Sequence, residues 1–258
     1  MNDLQVWQYV AIGALFIWSG FVRSGLGFGG AVLTLPFLLL VHNDPLVFLP
    51  IIAVHLLVFS SLIAYGSHKK NKRVVSEEPI STIDWDYLKH SLKIMIIPKL
   101  IGVFGLLTLP TALMSSIIFV IVMVYAIGYV LNRPFKSNSR VLDNMFLMLG
   151  GYISGTSLIG APLIVAVYAG HVAKHQLRDT LFVLWFILVV IKCAAFAWAG
   201  VDFQWIHHLW LLPCAALGHL IGQRFHERMV SAETPLFFRV LGSALIIVSL
   251  IGLWKALS

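Results

Sequence analysis

Charged side chains are scarce in this chain of 258 residues. Asp, Glu, Lys and Arg together make up 11% of it, whereas 59% of the residues are hydrophobic and the mean hydropathy is +0.91. A soluble domain normally carries about 25% charged residues. So few charges cannot cover a surface exposed to water, which excludes a soluble globular protein and indicates that a lipid bilayer surrounds the chain.

Cysteine is also scarce, and the sets of residues that mark enzymes are missing. Cys193 and Cys214 both lie in apolar stretches at no metal-ligand spacing, which argues against a disulfide framework or a thiol site. There is no HExxH or Ser-His arrangement, no paired carboxylate at mid-membrane and no metal-ligand set. We therefore expect no enzyme activity, no metal and no cofactor.

Long apolar runs are abundant instead. A transmembrane helix needs about 20 apolar residues, so the pattern predicts an all-α polytopic membrane protein with about eight to ten transmembrane or re-entrant helices. The runs cover residues 5–24, 31–41, 46–66, 91–109, 111–131, 145–170, 175–200, 205–222 and 236–256.

Two glycine-rich segments interrupt the apolar runs, and they match each other at a shift of 130 residues. The matched pairs are Ser24 with Ser154, Gly25 with Gly155, Gly30 with Gly160 and Ala31 with Ala161. The first segment also contains Gly27 and Gly29. Small residues can merely allow helices to pack closely, but four glycines within six residues favour a break in the helix. Matching breaks in two halves of a membrane chain are typical of a repeat transporter with a site at the midplane.

The basic residues predict the orientation of the two halves. The formal net charge is +7, and thirteen of the eighteen Lys and Arg residues lie in four loops, at 67–90, 132–141, 171–178 and 223–239. The positive-inside rule places these loops in the cytoplasm, so the charge indicates membrane orientation and not a nucleic-acid partner. The chain can place all four basic loops on the same side of the membrane only if each interrupted segment enters the membrane and returns to the same side as a hairpin. We therefore predict two inverted repeats, residues 1–132 and residues 133–258.

Three cations lie deep within apolar runs: Arg23, Lys99 and Lys192. A cation at membrane depth costs at least about 2.5–3.5 kcal/mol, so it needs a partner or a water-filled cavity. All eleven acidic residues lie in loops or near the ends of the runs. The missing negative charge is therefore expected to arrive with an anionic substrate. The alternative is that these cations donate to backbone carbonyls freed by a break.

The breaks supply further donors for an anion. A helix that restarts after a break points unpaired N–H groups and a positive dipole end at the gap. The side chains of Ser24, Ser154, Thr156 and Ser157 add hydroxyl groups. This set of donors suits sulfite, a sulfonate or a carboxylate equally well.

His55 lies in the middle of an apolar run, and Trp185 is its equivalent at the shift of 130. A lone buried histidine is more often a hydrogen-bonded structural residue than a proton carrier. In a proton-coupled transporter His55 would be the candidate carrier, since its ordinary pKa is near 6.5. Trp185 is a candidate for the wall of the same cavity, although a buried tryptophan is ordinarily a packing residue.

The run SGLGFGGAVLTLPFLL and its partner SGTSLIGAPLIVAVY resemble the sulfite exporter TauE/SafE family, also called the 4-toluene sulfonate uptake permease family. The resemblance extends over the whole chain in length and two-half layout. It implies transport of a sulfur-containing anion such as sulfite or an organosulfonate across a bacterial inner membrane. Lipid and a small anion are the implied partners, with a proton or another ion as a possible coupling ion.

Residues and resemblance together predict a multi-pass secondary transporter that works by alternating access. Phe182, Trp185 and Phe186 on one apolar run are expected to accept an apolar tail, which favours an organosulfonate. An anion channel of the same fold and a carrier for a carboxylate are the alternatives.

Overall fold

The computed structural model describes residues 1, 4–26, 30–71, 82–133, 135–231 and 235–257. These residues form ten α-helices joined by short connections. The helices are α1 Val6–Leu26, α2 Leu35–Val41, α3 Pro45–Asn71, α4 Trp85–Thr108, α5 Thr111–Val130, α6 Arg140–Ser157, α7 Ala161–His171, α8 Lys174–Trp198, α9 Trp205–Ser231 and α10 Pro235–Leu257. The prediction of an all-α protein with eight to ten helices is confirmed.

Six of these helices, α1, α3, α4, α5, α8 and α10, are long and apolar enough to cross a membrane. Large hydrophobic side chains stand exposed on their outer faces; Trp198 is 89% exposed and Trp254 is 78% exposed. Such side chains are unfavourable in water and suit contact with lipid. The chain is therefore a multi-pass membrane protein.

The two predicted breaks occur as connections inside hairpins. The first break separates α1, which ends at Leu26, from α2, which begins at Leu35. The second break comprises residues 158–160, with Leu158 in the left-handed region at φ 61°. Each returning helix has a proline within its first two residues, where a missing N–H costs nothing.

Contacts far from the breaks show that both segments turn back on themselves. Gln8, near the start of α1, donates from Nε2 to the carbonyl oxygen of Val41 at the end of α2, at 2.9 Å. His171 at the end of α7 lies 2.9 Å from the carboxylate of Asp143 near the start of α6. The two arms of each hairpin are thus joined at the end opposite the break.

Four pairings between helices account for most of the packing: α1 with α9, α4 with α6, α5 with α10, and α3 with α8. Glycines sit at two of these crossings. A Cβ atom on Gly218 of α9 would overlap the carbonyl oxygen of Ile17 on α1, and one on Gly102 of α4 would overlap that of Tyr152 on α6. Small residues at these points let the backbones approach closely, as is typical of membrane helices.

The pairings follow a regular order along the chain. If α1–α5 are matched in order with α6–α10, the α1–α9 pairing corresponds to the α6–α4 pairing. The α3–α8 and α5–α10 pairings each join two matched helices. A twofold relation between halves would produce this order. The predicted boundary at 132/133 falls between α5 and α6, and the division into repeats stays a prediction.

Candidate functional site

A cavity lies between the two breaks and is walled by α3 and α8; we call it the central cavity. Its interior volume is about 60 Å³. Since one water needs about 10–15 Å³, this volume holds a few waters or the head group of a small oxyanion. The lining residues are Arg23, Gly30, Ala31, Val32, Leu56, Ser60, Ser154, Leu158, Ala161, Phe182, Trp185, Leu188 and Val189.

Arg23 is the charged residue of this lining. It is only 6% exposed, and its Cζ lies 5.1 Å from the centroid of the Phe59 ring. Its Nη2 lies 3.4 Å from Oγ of Ser19, whereas Nε and Nη1 have no hydrogen-bond partner among the described residues. Among the described residues, the ion pair joins His171 to Asp143, and Arg23 forms none. The guanidinium therefore reaches the cavity with two of its three nitrogens unpaired.

Lys99 and Lys192 contact the end of α6, next to the second break, without lining the central cavity. The Nζ of Lys99 donates to Oγ of Ser154 at 3.1 Å, and the Nζ of Lys192 donates to the carbonyl oxygen of Gly155 at 2.7 Å. Both lysines are fully buried and neither lines the cavity. The last carbonyls of a helix lack intrahelical partners and form the negative end of its dipole. The two lysines thus stabilise the end of α6, and Ser154 connects Lys99 with the cavity.

The predicted hydroxyl donors divide between the cavity and the surrounding helices. Ser154 lines the cavity. Thr156 and Ser157 each donate to the carbonyl oxygen of Ile153 at 3.0 Å, so their protons are used within α6. Ser24 is hydrogen-bonded through Oγ to Nδ1 of His219 on α9 and does not line the cavity.

The predicted glycines divide in the same way. Gly30 lines the cavity, and a Cβ atom there would lie 3.4 Å from Nε of Arg23. Gly25 packs against Gly222, and Gly155 packs against Gly102. These two positions allow helices to approach each other.

Three further glycines complete the set. Gly160 lies against the backbone of Gly150, within the second hairpin. Gly27 and Gly29 lie outside the described residues.

The helices α8 and α3 supply the apolar wall. Phe182 and Trp185 line the cavity, whereas Phe186 is 41% exposed on the outer face of α8. Leu56 and Ser60 on α3 also line it, although neither was predicted from the sequence. The hydroxyl of Ser60 within an apolar run is the signal that would have found this face of α3.

His55 lies beside the central cavity and not in its wall. It is 0% exposed and both ring nitrogens lack a hydrogen-bond partner in the described part of the chain. Its ring contacts Phe16 at 5.0 Å and His208 at 5.2 Å between centroids. The equivalent position, Trp185, does line the cavity, so the two matched residues have different surroundings.

Comparison with known proteins places the geometry in context. The family model described as Sulfite exporter TauE/SafE matches residues 11–252, nearly the whole chain. The chain matches no curated protein and no solved structure.

Proposed function

Because this chain belongs to the sulfite exporter TauE/SafE family, we propose that it is a secondary transporter that carries an organosulfonate or related sulfur oxyanion by alternating access. The family is one of membrane transporters of sulfite or related anions, not of enzymes. The small anionic substrate and the surrounding lipid are therefore the partners of the chain. The bacterial inner membrane, the choice of anion and the mechanism belong to the proposal.

The observation that carries the proposal is the unpaired guanidinium of Arg23 at the central cavity. A buried cation costs several kcal/mol unless a counter-charge or water reaches it. The acidic residues that the structure describes lie in loops or near helix ends, and two of the three guanidinium nitrogens have no described partner. An oxyanion in the cavity would receive two N–H donors from one planar group, which is the geometry that guanidinium provides best.

The second break supports the same head group. Ser154 and Ala161 line the cavity at the two sides of this break, and the helix α7 begins at Ala161. The start of α7 contributes backbone N–H groups and a positive dipole end on that side. Lys99 adds positive charge through Ser154, to which it donates at 3.1 Å. An anion held between Arg23 and the start of α7 would contact both halves of the chain.

The apolar wall favours an organic sulfonate over bare sulfite. Phe182, Trp185, Leu188 and Val189 all belong to one face of α8 and line the cavity together. Binding sites for small organic molecules combine such apolar walls with a few placed polar groups. The interior of about 60 Å³ accommodates the sulfonate head group, with the tail along α8.

Alternating access follows from the proposal that the two halves are inverted repeats. The central cavity is lined by both breaks, so motion of one half against the other would open it to either side. The matched order of helix pairings and the two hairpins support the repeats. Their opposite orientation rests on the basic loops.

Thermal stabilisation of the purified full-length protein tests the site. The panel is sulfite, sulfate, benzenesulfonate, benzoate, acetate and chloride. A ligand present at about 100 times its dissociation constant adds about 2.7 kcal/mol to the stability of the folded state. We expect benzenesulfonate to stabilise the wild type most strongly and Arg23→Gln not at all. The exposed Arg140→Gln variant is the matched control and should respond like the wild type.

Three outcomes contradict parts of the proposal. Equal stabilisation of wild type and Arg23→Gln would remove Arg23 from the site. Stabilisation by benzoate alone would indicate a carrier for carboxylates. Flux that does not saturate and shows no trans-stimulation in proteoliposomes would indicate an anion channel.

A further inference from the structure

We propose that His55 and His208 form the binding site of a coupling proton, which is carried together with the anion bound at Arg23. This inference rests on the proposed transport function and identifies a proton gradient as the energy source of that transport. The two histidines belong to α3 and α9, and neither lines the central cavity.

His55 has the surroundings of a proton acceptor with no fixed structural bond. It is fully buried, and neither Nδ1 nor Nε2 has a hydrogen-bond partner within the described residues. Buried polar side chains are nearly always hydrogen-bonded, so such an exception requires a functional or solvent explanation. The apolar neighbours Phe16 and Phe59 offer the ring no acceptor.

His208 supplies a second ring with one nitrogen free. Its Nε2 lies 3.1 Å from the carbonyl oxygen of Phe203, and a carbonyl oxygen only accepts, so the neutral ring carries its proton on Nε2. Nδ1 then holds the lone pair, and it has no described partner. The rings of His55 and His208 lie 5.2 Å apart between centroids. One proton can therefore be shared or passed between two acceptors in the same cluster.

The histidine pair lies close to the proposed anion site through one aromatic ring. Phe59 lies under the guanidinium of Arg23 at 5.1 Å, and its centroid is 6.4 Å from that of His55. Arg23 on α1 and His208 on α9 are the charged or titratable groups that face His55 in the described chain. On α8, which also packs against α3, Lys192 is directed to Gly155. No carboxylate among the residues that the structure describes takes part in this cluster.

Electrostatics couple the two ligands in this arrangement. A positive charge on Arg23 opposes a second positive charge on His55 in a region of low dielectric constant. An anion at Arg23 neutralises the guanidinium and so favours a proton on His55. By linkage, the proton favours the anion to the same extent. Proton and anion therefore bind together and leave together.

Co-binding gives an electroneutral complex with a monovalent anion. A single negative charge moved against 100 mV is disfavoured by a factor on the order of fifty. Addition of one proton removes that factor and lets a pH gradient drive uptake. The connection 201–204 carries no Lys or Arg, so the positive-inside rule places it on the outer side, and His208 follows it by four residues. We therefore expect the proton to reach the pair from the outer side. Phe59 also contacts His219 of α9: the two ring centroids are 5.2 Å apart, and His219 is hydrogen-bonded to Ser24.

The test uses the full-length protein in proteoliposomes with potassium and valinomycin to hold the membrane potential at zero. Benzenesulfonate is the probe because a sulfonic acid is a strong acid and stays ionised across the range of about pH 5 to pH 8 in which histidine titrates, so any proton moved is bound by the protein. With the outside one pH unit more acidic, a one-to-one symporter accumulates the probe about tenfold and alkalinises the exterior. Counterflow of labelled probe at equal pH measures transport without a proton gradient.

We expect His55→Phe to lose the tenfold accumulation and to keep counterflow at saturating probe, with a weaker apparent affinity because the proton that favours the anion is absent. His208→Gln should slow the proton-driven phase at least about tenfold and also keep counterflow. His207→Gln is the matched control, because His207 is a buried neighbour whose Nδ1 accepts from Trp210 and a glutamine oxygen can replace it. This control should accumulate the probe like the wild type.

The two proposals fail in different ways. Wild-type counterflow without any proton movement overturns the coupling proton and leaves the transport function standing. Accumulation by both His55→Phe and His55→Gln overturns the assignment to His55. Loss of counterflow in both variants overturns it as well, since the role is then structural. Absence of wild-type counterflow overturns the transport function and the coupling together.

Discussion

Lys192 on α8 donates from Nζ to the carbonyl oxygen of Gly155 on α6, at 2.7 Å. The bond joins a fully buried cation to the end of a helix that stops inside the protein. It is therefore a contact of the second break and not an exposed binding group. The position of this lysine determines what its replacement should do.

We expect Lys192→Met to reduce benzenesulfonate affinity about tenfold while the folded state loses little stability. The substitution leaves one carbonyl unpaired, at about 1–3 kcal/mol, but removes a buried charge that costs about 2.5–3.5 kcal/mol. These effects nearly cancel, whereas the positive field at the cavity weakens. Parallel thermal unfolding and binding titrations measure the two quantities. A large loss of stability with unchanged affinity would show that the lysine is purely structural.

Arg23→Lys should bind benzenesulfonate more weakly than the wild type but better than Arg23→Gln. Lysine keeps the charge and loses the planar fork of donors. The expected order of dissociation constants separates charge from geometry. If Arg23→Lys equals the wild type, charge alone holds the anion.

Gly218→Ala should destabilise the protein by about 1–3 kcal/mol. The new methyl group would overlap the carbonyl oxygen of Ile17 at the crossing of α1 and α9, and both are backbone positions in packed helices. Gly170→Ala is the control, because a Cβ atom on Gly170 meets nothing within 4 Å. Alanine is the better helix former, so this control should be neutral or slightly stabilising. Thermal unfolding of both variants in the same detergent compares them directly.

Arg178→Gln should slow substrate entry and weaken its dependence on salt, with a small effect on equilibrium affinity. Arg178 is exposed, and its Cζ lies 5.7 Å from the ring of Phe182, which lines the cavity. An exposed cation near a lining residue is expected to steer anions towards the cavity mainly through the association rate. The exposed Lys174→Gln variant on the same helix is the control. Initial rates at low and high ionic strength decide the matter.

Asp143→Asn should lower the melting temperature slightly at neutral pH and not at all in acid. Burial raises the pKa of Asp143, but hydrogen bonds from Ser137 and His171 and the charge of His171 outweigh it and hold the pKa below its ordinary value. A depressed carboxyl pKa stabilises the folded state above the ordinary value near 3.9, and this stability is lost as the pH falls through the folded pKa. The pair is partly exposed, so less than about 1 kcal/mol is expected.

The same comparison in a His171→Gln background gives the control for Asp143. The Asn substitution should then have a smaller effect, because His171 is absent and only the hydrogen bond from Ser137 remains. If the melting temperatures of the wild type and Asp143→Asn still differ in acid, the difference comes from a contact other than the ionised carboxylate.

The sequence was sufficient to predict the helices, the two breaks and the burial of the three deep cations. Apolar length and glycine clusters act locally, so they can be recognised along the chain. The partners of Lys192 and Ser24 could not be predicted, since they depend on how α8 meets α6 and how α9 meets α1. The contact between His55 and His208 likewise joins residues 153 positions apart and leaves no pattern in the sequence.

The exchange of helices between halves has a consequence for how the chain can be divided. The first hairpin packs on α9 of the second half, and the second hairpin packs on α4 of the first half. A fragment that ends after α5 therefore exposes the glycine-containing face of α4 on which the second hairpin packs. The complementary fragment exposes the glycine-containing face of α9 on which the first hairpin packs. When both fragments are made in one cell, the hairpin of each must pack on a helix of the other. We therefore expect transport only when the two fragments assemble.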